Sequence, residues 1–285
     1  MQRYRIQHRT AYYFSEIVQL GAHDLRLRPR EGHDLRIESS KLEMTPDASL
    51  RWRRDVEGNS VATATFANGA NALEINSEVV IQQFNENPLD FLLFDNAVQF
   101  PFQYENEYSV LLDPYLKPRN EVFSDELISW VGEIWQPDEA IQTYTLLERI
   151  TKRIFDTFEY QIREEPGVQM ADETLQKGTG SCRDFASLMI AATRHLGLAA
   201  RFVSGYMYTP TSSRIFGTTH AWMEVFLPGA GWKGFDPTIG EIVGKEHFPV
   251  AVSRLPESVP PVEGSFFGIP GTRLEVGVLV EELPS

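Results

Sequence analysis

A change of hydrophobic period near residue 85 most limits what this chain can fold into. Before it, short segments alternate apolar and polar residues or are rich in β-branched ones, at residues 4–14, 35–44, 61–66 and 72–84. Alternation with period two is typical of strands that bury one face. Turn-forming pairs separate the segments: Pro46-Asp47, Gly58-Asn59 and Asn68-Gly69. The pattern predicts an N-terminal antiparallel β-sandwich rather than a parallel sheet.

Beyond residue 120 the apolar residues recur at three- and four-residue spacing, which is typical of helices that bury one face. Ser124 is suited to cap the first of these helices. A second stripe of this kind covers residues 146–158. Residues 182–196 predict a deeply buried helix, which Gly197 ends as a C-cap.

Strand patterns return after this helix. Residues 200–208, 219–226 and 232–235 are short, apolar and separated by turn formers, so we expect successive strands there. The chain is rich in proline after residue 245. We expect one last strand, at residues 274–280, to return to a sheet.

The stretch between the two patterns, residues 85–120, combines several prolines with many aromatic residues. It is too apolar for a free linker, so we expect it to be irregular and to pack across both parts of the chain. A chain of 285 residues is long for one core and natural for two smaller domains. We therefore predict an α+β protein with a β domain at residues 1–115 and a second domain at residues 116–285.

Charge and apolar runs limit the partners. The net charge of −14 argues against nucleic acid, because binding to the phosphate backbone draws on clustered Lys and Arg. The N-terminal residues lack the apolar stretch of a secretion signal, and the longest apolar runs fall short of a membrane span. A single cysteine suits a reducing compartment, so we predict a cytoplasmic location with neither a nucleic-acid nor a membrane partner. The oligomeric state stays open.

The single cysteine, Cys182, lies where a turn containing Gly178 and Gly180 meets the buried helix. A catalytic cysteine acts as a thiolate, and the free N–H groups at a helix N-terminus stabilise that charge. The same groups can hold an oxyanion during acyl transfer. A lone cysteine is more often a small buried apolar residue, but this position favours a nucleophile. Asp184, in the first turn, complements the helix dipole and is given no catalytic role.

A thiolate nucleophile needs an imidazole that can take up and return a proton. Of the six histidines, His220 is the best placed, because it opens a predicted strand directly after a polar loop at residues 209–219 that would border a cleft. We interpret the other five as structural: His8, His23, His33, His195 and His247.

The imidazole in turn needs an acceptor that fixes its tautomer and supports its charged form. Asp236 follows the strand at residues 232–235, and a hairpin through residues 228–231 would bring it beside His220. Glu224 is the competing acceptor, since it points to the same strand face as His220 but lies two pleats away. We favour Asp236.

The motifs that contain these residues resemble the core of the bacterial transglutaminase-like superfamily, whose members are often described as candidate cysteine proteases. The match covers roughly residues 145–240, and residues 4–29 resemble the β-sandwich domain that precedes this core in bacterial members. The tail at residues 259–280 is also similar, although residues 248–256 lack a clear Gly-Arg-Asp-Tyr segment that relatives often have. The motifs, in chain order, are Gly180-Ser181-Cys182-Arg183-Asp184-Phe185-Ala186, Gly197-Leu198-Ala199-Ala200-Arg201-Phe202-Val203-Ser204-Gly205-Tyr206, Thr219-His220-Ala221-Trp222 and Gly231-Trp232-Lys233-Gly234-Phe235-Asp236-Pro237-Thr238.

This resemblance implies that Cys182 is the nucleophile, His220 the general base and acid, and Asp236 the residue that orients the histidine. It also implies a papain-like α+β core at residues 116–285, with the cysteine at the start of a helix packed on an antiparallel sheet. The expected activity is acyl transfer or hydrolysis at an amide of a peptide or protein, through a thioester acyl-enzyme.

Two alternatives stay open: a non-catalytic binding module on the same fold, and an amine acyltransferase with the same three residues. We expect no cofactor and no metal. The two His-Asp pairs at residues 23–24 and 33–34 have no other converging ligands, and no calcium-site pattern is present in the sequence.

Overall fold

The computed structural model describes residues 1–84, 87–105, 107–119, 122–163, 165, 167–210, 219–269 and 271–284. Most of the polar loop predicted to border a cleft, residues 211–218, lies outside the described residues.

The strands alternate with helices only in the middle third of the chain. In chain order the strands are β1 Gln2–Leu25, β2 Leu35–Thr45, β3 Ala48–Arg54, β4 Ser60–Phe66, β5 Ala70–Gln83, β6 Gln99–Phe100, β7 Ile141–Gln142, β8 Glu159–Tyr160, β9 Thr179–Gly180, β10 Ala200–Met207, β11 His220–Leu227, β12 Gly231–Asp236, β13 Glu241–Ile242, β14 His247–Ser253, β15 Val262–Phe267 and β16 Thr272–Leu283. The helices are α1 Asp95–Val98, α2 Glu107–Leu116, α3 Asp125–Ile134, α4 Thr143–Thr157, α5 Ala171–Lys177 and α6 Cys182–His195, followed by a 3-10 turn at Pro256–Ser258.

The N-terminal strands are all antiparallel and share the long strand β1. The first half of β1 pairs with β5 and β16, and its last residues pair with β4 and β15. Two groups of strands result: β2 lies beyond β5 in the first, and β3 lies beyond β4 in the second. One apolar cluster contains residues from both groups, including Phe14, Leu73 and Ala64, so the two groups enclose a common core. The alternation seen in the sequence is the alternation between this core and the outside.

The second part is a five-stranded antiparallel sheet in the order β13-β12-β11-β10-β14. The helix α6 packs on this sheet, and its buried face forms one cluster with residues of β10 and β11 such as Phe202 and Met223. The helices α3, α4 and α5 contribute to the same cluster and also contact α6. Because α6 is surrounded in this way, its start is held firmly relative to the ends of β11 and β12.

The predicted caps and strands of this part agree closely with the structure. The side chain of Ser124 accepts a hydrogen bond from the backbone N–H of Leu127 at the start of α3. Gly197 lies directly beyond the end of α6 with φ of 78°, a conformation that favours glycine. The predicted strands at residues 200–208, 219–226 and 232–235 correspond to β10, β11 and β12.

Two predictions of irregular structure were incomplete. Residues 85–120 contain the helix α2, with Pro114 inside it. The Pro-rich stretch after residue 245 contains two strands, β14 and β15. A proline is tolerated in β14 because this is an edge strand, where the missing N–H leaves no neighbouring strand without a partner.

The segment between the two parts contacts both of them. The hydroxyl of Tyr115 donates to Glu57 of the N-terminal part at 2.7 Å, while its ring lies against Trp232 at 5.1 Å. The α+β fold class is confirmed: a strand-rich N-terminal region is followed by a helix-covered antiparallel sheet. The division at residue 115 stays a prediction. Among the described residues, no helix has both the length and the apolar character needed to span a membrane.

Candidate active site

The start of α6 is built by a short parallel pairing of β8 with β9, in which Tyr160 lies opposite Gly180. Gly178 ends α5 in the left-handed region, with φ of 67°. Gly180 is required for a different reason: a Cβ at this position would lie 2.9 Å from the Cβ of Asp184 and 3.1 Å from the ring of Phe185. The glycines before the cysteine therefore turn the chain and let it approach α6 closely.

Asp184 fixes this helix start. It has no exposed surface, and one of its oxygens, Oδ2, accepts from both the backbone N–H and the hydroxyl of Ser181, each at 2.8 Å. The same oxygen accepts from Nε of Arg163 at 2.8 Å, and Oδ1 accepts from the backbone N–H of Gln169 at 2.8 Å. The interpretation of Asp184 as a residue that complements the helix dipole was therefore too narrow, because its side chain ties three segments together next to Cys182.

His220 and Asp236 are brought together by the hairpin of β11 and β12. The strands pair antiparallel, with Met223 opposite Phe235, so the start of β11 lies beside the end of β12. The His220 Nε2 atom lies 2.6 Å from Asp236 Oδ2, and Asp236 has no exposed surface. The other carboxylate oxygen accepts from the backbone N–H of Thr238 at 2.8 Å.

Cys182 is the one free cysteine, and its residue is 8% exposed. It lies within hydrogen-bonding reach of His220. Because Nε2 of His220 faces Asp236, the other ring nitrogen, Nδ1, is the one available to the sulfur. The predicted site residues are thus neighbours in space: a sulfur at a helix start, an imidazole and a buried carboxylate.

The electrostatics of the pair favour charge. Burial by itself lowers the pKa of His220, but hydrogen bonds to Asp236 and Cys182 and the charges of these groups outweigh it and raise the pKa to about 10. Burial also tends to raise the pKa of Asp236, but the hydrogen bonds from His220 and His247 hold that pKa well below its usual range. The carboxylate is therefore ionised and the imidazole readily holds a proton.

Two further residues at the site were missed by sequence reasoning. Tyr160 is partly exposed and lies close to the site. Partial burial of its hydroxyl, and to a smaller extent the charges of Cys182 and Asp236, raise its pKa. His247, which we interpreted as structural, is 4% exposed, and its Nε2 atom lies 3.1 Å from Asp236 Oδ2. His247 could have been found from the sequence only by recognising β14 as a strand, and the prolines in this stretch obscured the strand pattern. Once β14 pairs with β10, with Met207 opposite His247, the histidine reaches the site.

His220, Asp236 and His247 together offer nitrogen and oxygen atoms within 4.8 Å of one another, which is close enough to raise the question of a cation. The hydrogen bonds at 2.6 Å and 3.1 Å use these same atoms. A cation would have to replace both bonds, so we assign these residues no metal-ligand role. The expectation of no metal and no cofactor stays a prediction.

The competing acceptor is engaged elsewhere. Glu224 Oε2 accepts from Nε of Arg201 at 2.7 Å on the neighbouring strand β10. Asp236 rather than Glu224 therefore faces His220. Of the remaining histidines, His8 is buried between Tyr206 and Thr10, and burial lowers its pKa to about 4.

Comparison with protein-family models gives two matches. The bacterial transglutaminase-like N-terminal region matches residues 4–82, and the transglutaminase-like superfamily matches residues 130–237. The second match contains Cys182, His220 and Asp236.

Similar proteins cover nearly the whole chain. An uncharacterized protein of Mycobacterium tuberculosis (strain ATCC 25618 / H37Rv) is 28% identical over an alignment of 284 positions that covers 93% of this chain and 88% of that protein. An uncharacterized protein of Mycobacterium leprae (strain TN) is 24% identical over an alignment of 290 positions that covers 99% of this chain and 100% of that protein. A crystal structure of a candidate cysteine protease from Cytophaga hutchinsonii has the same fold, with a TM-score of 0.77 and 19% identity over 100% of this chain and 91% of that one. The resemblance seen in the motifs is thus confirmed in two regions of the chain: a match to the bacterial transglutaminase-like N-terminal region is followed by a match to the transglutaminase-like superfamily.

Proposed function

We propose that this protein is a cysteine enzyme that attacks an amide of a peptide or protein and forms a thioester acyl-enzyme. Cys182 is the nucleophile, His220 the general base and acid, and Asp236 the residue that orients His220. The observation that carries the proposal is the buried His220–Asp236 hydrogen bond of 2.6 Å beside a cysteine at a helix start. A structural cysteine has no need of such a pair, whereas a thiolate nucleophile does.

The first half-reaction follows from these positions. The Cys182 thiolate forms a bond to the carbonyl carbon, and the carbonyl oxygen takes the negative charge. Free backbone N–H groups in the first turn of α6 are suited to hold this oxyanion. The C–N bond then breaks as the His220 imidazolium donates its proton to the leaving amine, which leaves a thioester and a neutral imidazole.

The second half-reaction decides the product. If water enters, neutral His220 takes one of its protons, the oxygen attacks the thioester, and the C–S bond breaks to give an acid and the free thiolate. If an amine enters, the same steps give a new amide. Both routes share the acyl-enzyme, so the three residues are equally suited to a protease or amidase and to a transamidase.

Fold and family support the same class of activity. The protein with the same fold from Cytophaga hutchinsonii is described as a candidate cysteine protease, and the superfamily match spans all three proposed catalytic residues. The location in the cytoplasm stays a prediction.

A library of peptides and glutamine amides, incubated with and without an added primary amine, tests the proposal. We expect cleavage or amine incorporation by the wild-type protein and a loss of at least about a thousandfold in Cys182→Ala, because a covalent nucleophile is replaced by a methyl group. An exposed matched control is Ser15→Ala, which leaves the site unchanged. Equal product from Cys182→Ala and wild type would exclude the proposed nucleophile.

The two alternatives have separate outcomes in the same set of assays. Acetyl transfer from acetyl-CoA to an arylamine, dependent on Cys182, would indicate an amine acyltransferase. Specific binding of a peptide that is neither cleaved nor modified would indicate a binding module.

A further inference from the structure

His247 is placed to act on the proposed catalytic pair without contacting a substrate. It lies at the start of the edge strand β14, and its ring packs edge-on against Trp222 at 5.2 Å. Its Nε2 atom faces Asp236 Oδ2 at 3.1 Å, the same oxygen that His220 contacts at 2.6 Å. Two imidazoles therefore share one oxygen of a single buried carboxylate.

The backbone next to His247 occupies the ring nitrogen that faces away from Asp236. The N–H of Gly244 points at His247 Nδ1 at 3.4 Å, so this nitrogen is an acceptor. A neutral imidazole with an accepting Nδ1 holds its proton on Nε2, which is the atom that faces Asp236. Protonation of Nδ1 would set two donors against each other. His247 is thus placed to donate from Nε2 to the same carboxylate oxygen that His220 contacts.

Asp236 consequently accepts from three donors: His220 and His247 at Oδ2, and the backbone N–H of Thr238 at Oδ1. Each hydrogen bond to a carboxylate withdraws negative charge and lowers its affinity for a further proton. Without the His247 donor, Thr238 and His220 would still orient the carboxylate. The hydrogen bond between the carboxylate and His220 would become stronger, because fewer donors would share the negative charge.

We propose that His247 is a positioning residue that shares Asp236 Oδ2 with His220 and so weakens the hold of the carboxylate on the proton of His220. The effect of His247 on catalysis rests on the proposed function, whereas the shared carboxylate oxygen does not. After acylation the sulfur is no longer anionic, and His220 must be neutral to take a proton from the incoming water or amine. A carboxylate that held the imidazolium too tightly would slow that step.

The titratable groups that face His220 come from three elements. They are Cys182 at the start of α6, Asp236 at the end of β12 and His247 on β14, while Tyr160 of β8 lies near Cys182 and Asp236. Replacement of His247 alone leaves the other three in place, so a change in the titration of His220 reports on the shared oxygen.

Histidine-labelled protein tests this directly by NMR titration in a Cys182→Ala background, where no catalysis takes place. The His220 signal is assigned by its loss in His220→Gln. We expect the titration midpoint of His220 to rise by roughly half a pH unit to one unit in His247→Leu, as one hydrogen bond to a charged group is redistributed. His247→Gln, whose amide N–H can replace the donor, should stay close to the parent.

His247→Met provides a second replacement without a donor if His247→Leu does not fold. An unchanged or lower midpoint in whichever of these folds would overturn the proposal, as would a rise in His247→Gln as large as in the donor-free variant.

A kinetic measurement with p-nitrophenyl acetate examines the consequence in protein that retains Cys182. The burst of p-nitrophenol reports acylation, and the steady rate reports release of the acetyl group. In His247→Leu we expect a burst no slower than in wild type and a steady rate at pH 7 about three- to tenfold lower, in line with the expected shift of the His220 midpoint. A purely structural role would slow both phases equally. Because the NMR titration needs no turnover, the absence of a Cys182-dependent burst would count against the proposed function alone.

Discussion

Asp236 has no exposed surface and stays charged because each of its oxygens accepts from a donor. Burial of a lone carboxylate would favour its neutral form, so the charge depends on these partners. His220 shows the opposite balance: burial by itself lowers its pKa, but Asp236 and Cys182 raise it to about 10. The charges of His220 and Asp236 therefore support each other.

The His220–Asp236 pair should make stability depend on pH. The pKa of His220 rises from 6.5 to about 10 on folding, so the stabilisation is fully present below pH 6.5 and is lost as the pH rises towards 10. We expect wild type to lose on the order of 2 kcal/mol more than His220→Gln between pH 6.5 and 10, measured by urea unfolding. The exposed His33→Gln should follow wild type. If the free energies of unfolding of wild type and His220→Gln changed in parallel with pH, the His220–Asp236 pair would not stabilise the fold.

The reactivity of Cys182 should depend on His220. His220 lies within hydrogen-bonding reach of the Cys182 sulfur, and a neighbouring imidazolium makes a thiol more reactive towards iodoacetamide. We expect His220→Ala to slow this reaction at pH 6 by at least about tenfold, measured by mass spectrometry. His33→Ala is the exposed control. The same rate in His220→Ala and wild type would be evidence against a thiolate–imidazolium pair.

At the scale of elements, the position of the sulfur is set by how α6 begins. The pairing of β8 with β9 brings the chain to Ser181, and the buried carboxylate of Asp184 binds this residue, Arg163 and the backbone of Gln169. The first turn of α6 therefore cannot unwind without the loss of several buried hydrogen bonds. This rigidity suits a nucleophile that must keep its orientation through two half-reactions.

Replacement of Asp184 should loosen this helix start. Asp184→Ala leaves the partly buried Arg163 guanidinium and two backbone N–H groups without this acceptor, so we expect a loss of about 3–5 kcal/mol in the free energy of unfolding. The exposed Asp125→Ala, also an acid in the first turn of a helix, should cost less than about 1 kcal/mol. Urea unfolding of both variants measures the difference. Equal losses of unfolding free energy in the two variants would mean that Asp184 only complements the helix dipole.

At the scale of the whole molecule, the two ends of the chain are joined in one sheet, and this sheet supports the candidate site. The strand β16 pairs with β1 along residues 3–14, from Arg3 opposite Leu283 to Phe14 opposite Thr272. Tyr4 of β1 is 1% exposed and packs on Phe248 at 4.8 Å, the residue that follows His247. The N-terminal region therefore contributes to the rigidity of the strand that holds His247.

Tyr4→Ala should test this coupling. Removal of a buried aromatic ring at the junction should cost about 3–5 kcal/mol, and the remaining protein should still unfold in one transition, because the two parts share a buried cluster. Tyr4→Phe keeps the ring and should lose little, while Trp52→Ala, half exposed on β3, is the surface control. Calorimetry distinguishes the outcomes. Two separate transitions in Tyr4→Ala would show that the parts are independent.

Sequence patterns alone predicted the α+β class, three strands of the second sheet (β10, β11 and β12), the caps at Ser124 and Gly197, and the choice of Cys182, His220 and Asp236 as candidate site residues. These features follow from period, turn formers and local motifs, which are properties of neighbours along the chain. Only the tertiary structure decided that Asp184 anchors α6, that β14 is a strand, and that His247 shares Asp236 with His220. The partners in these contacts lie between 11 and 21 residues apart in sequence or depend on the pairing of β14 with β10. Since such contacts arise from packing, no local pattern records them.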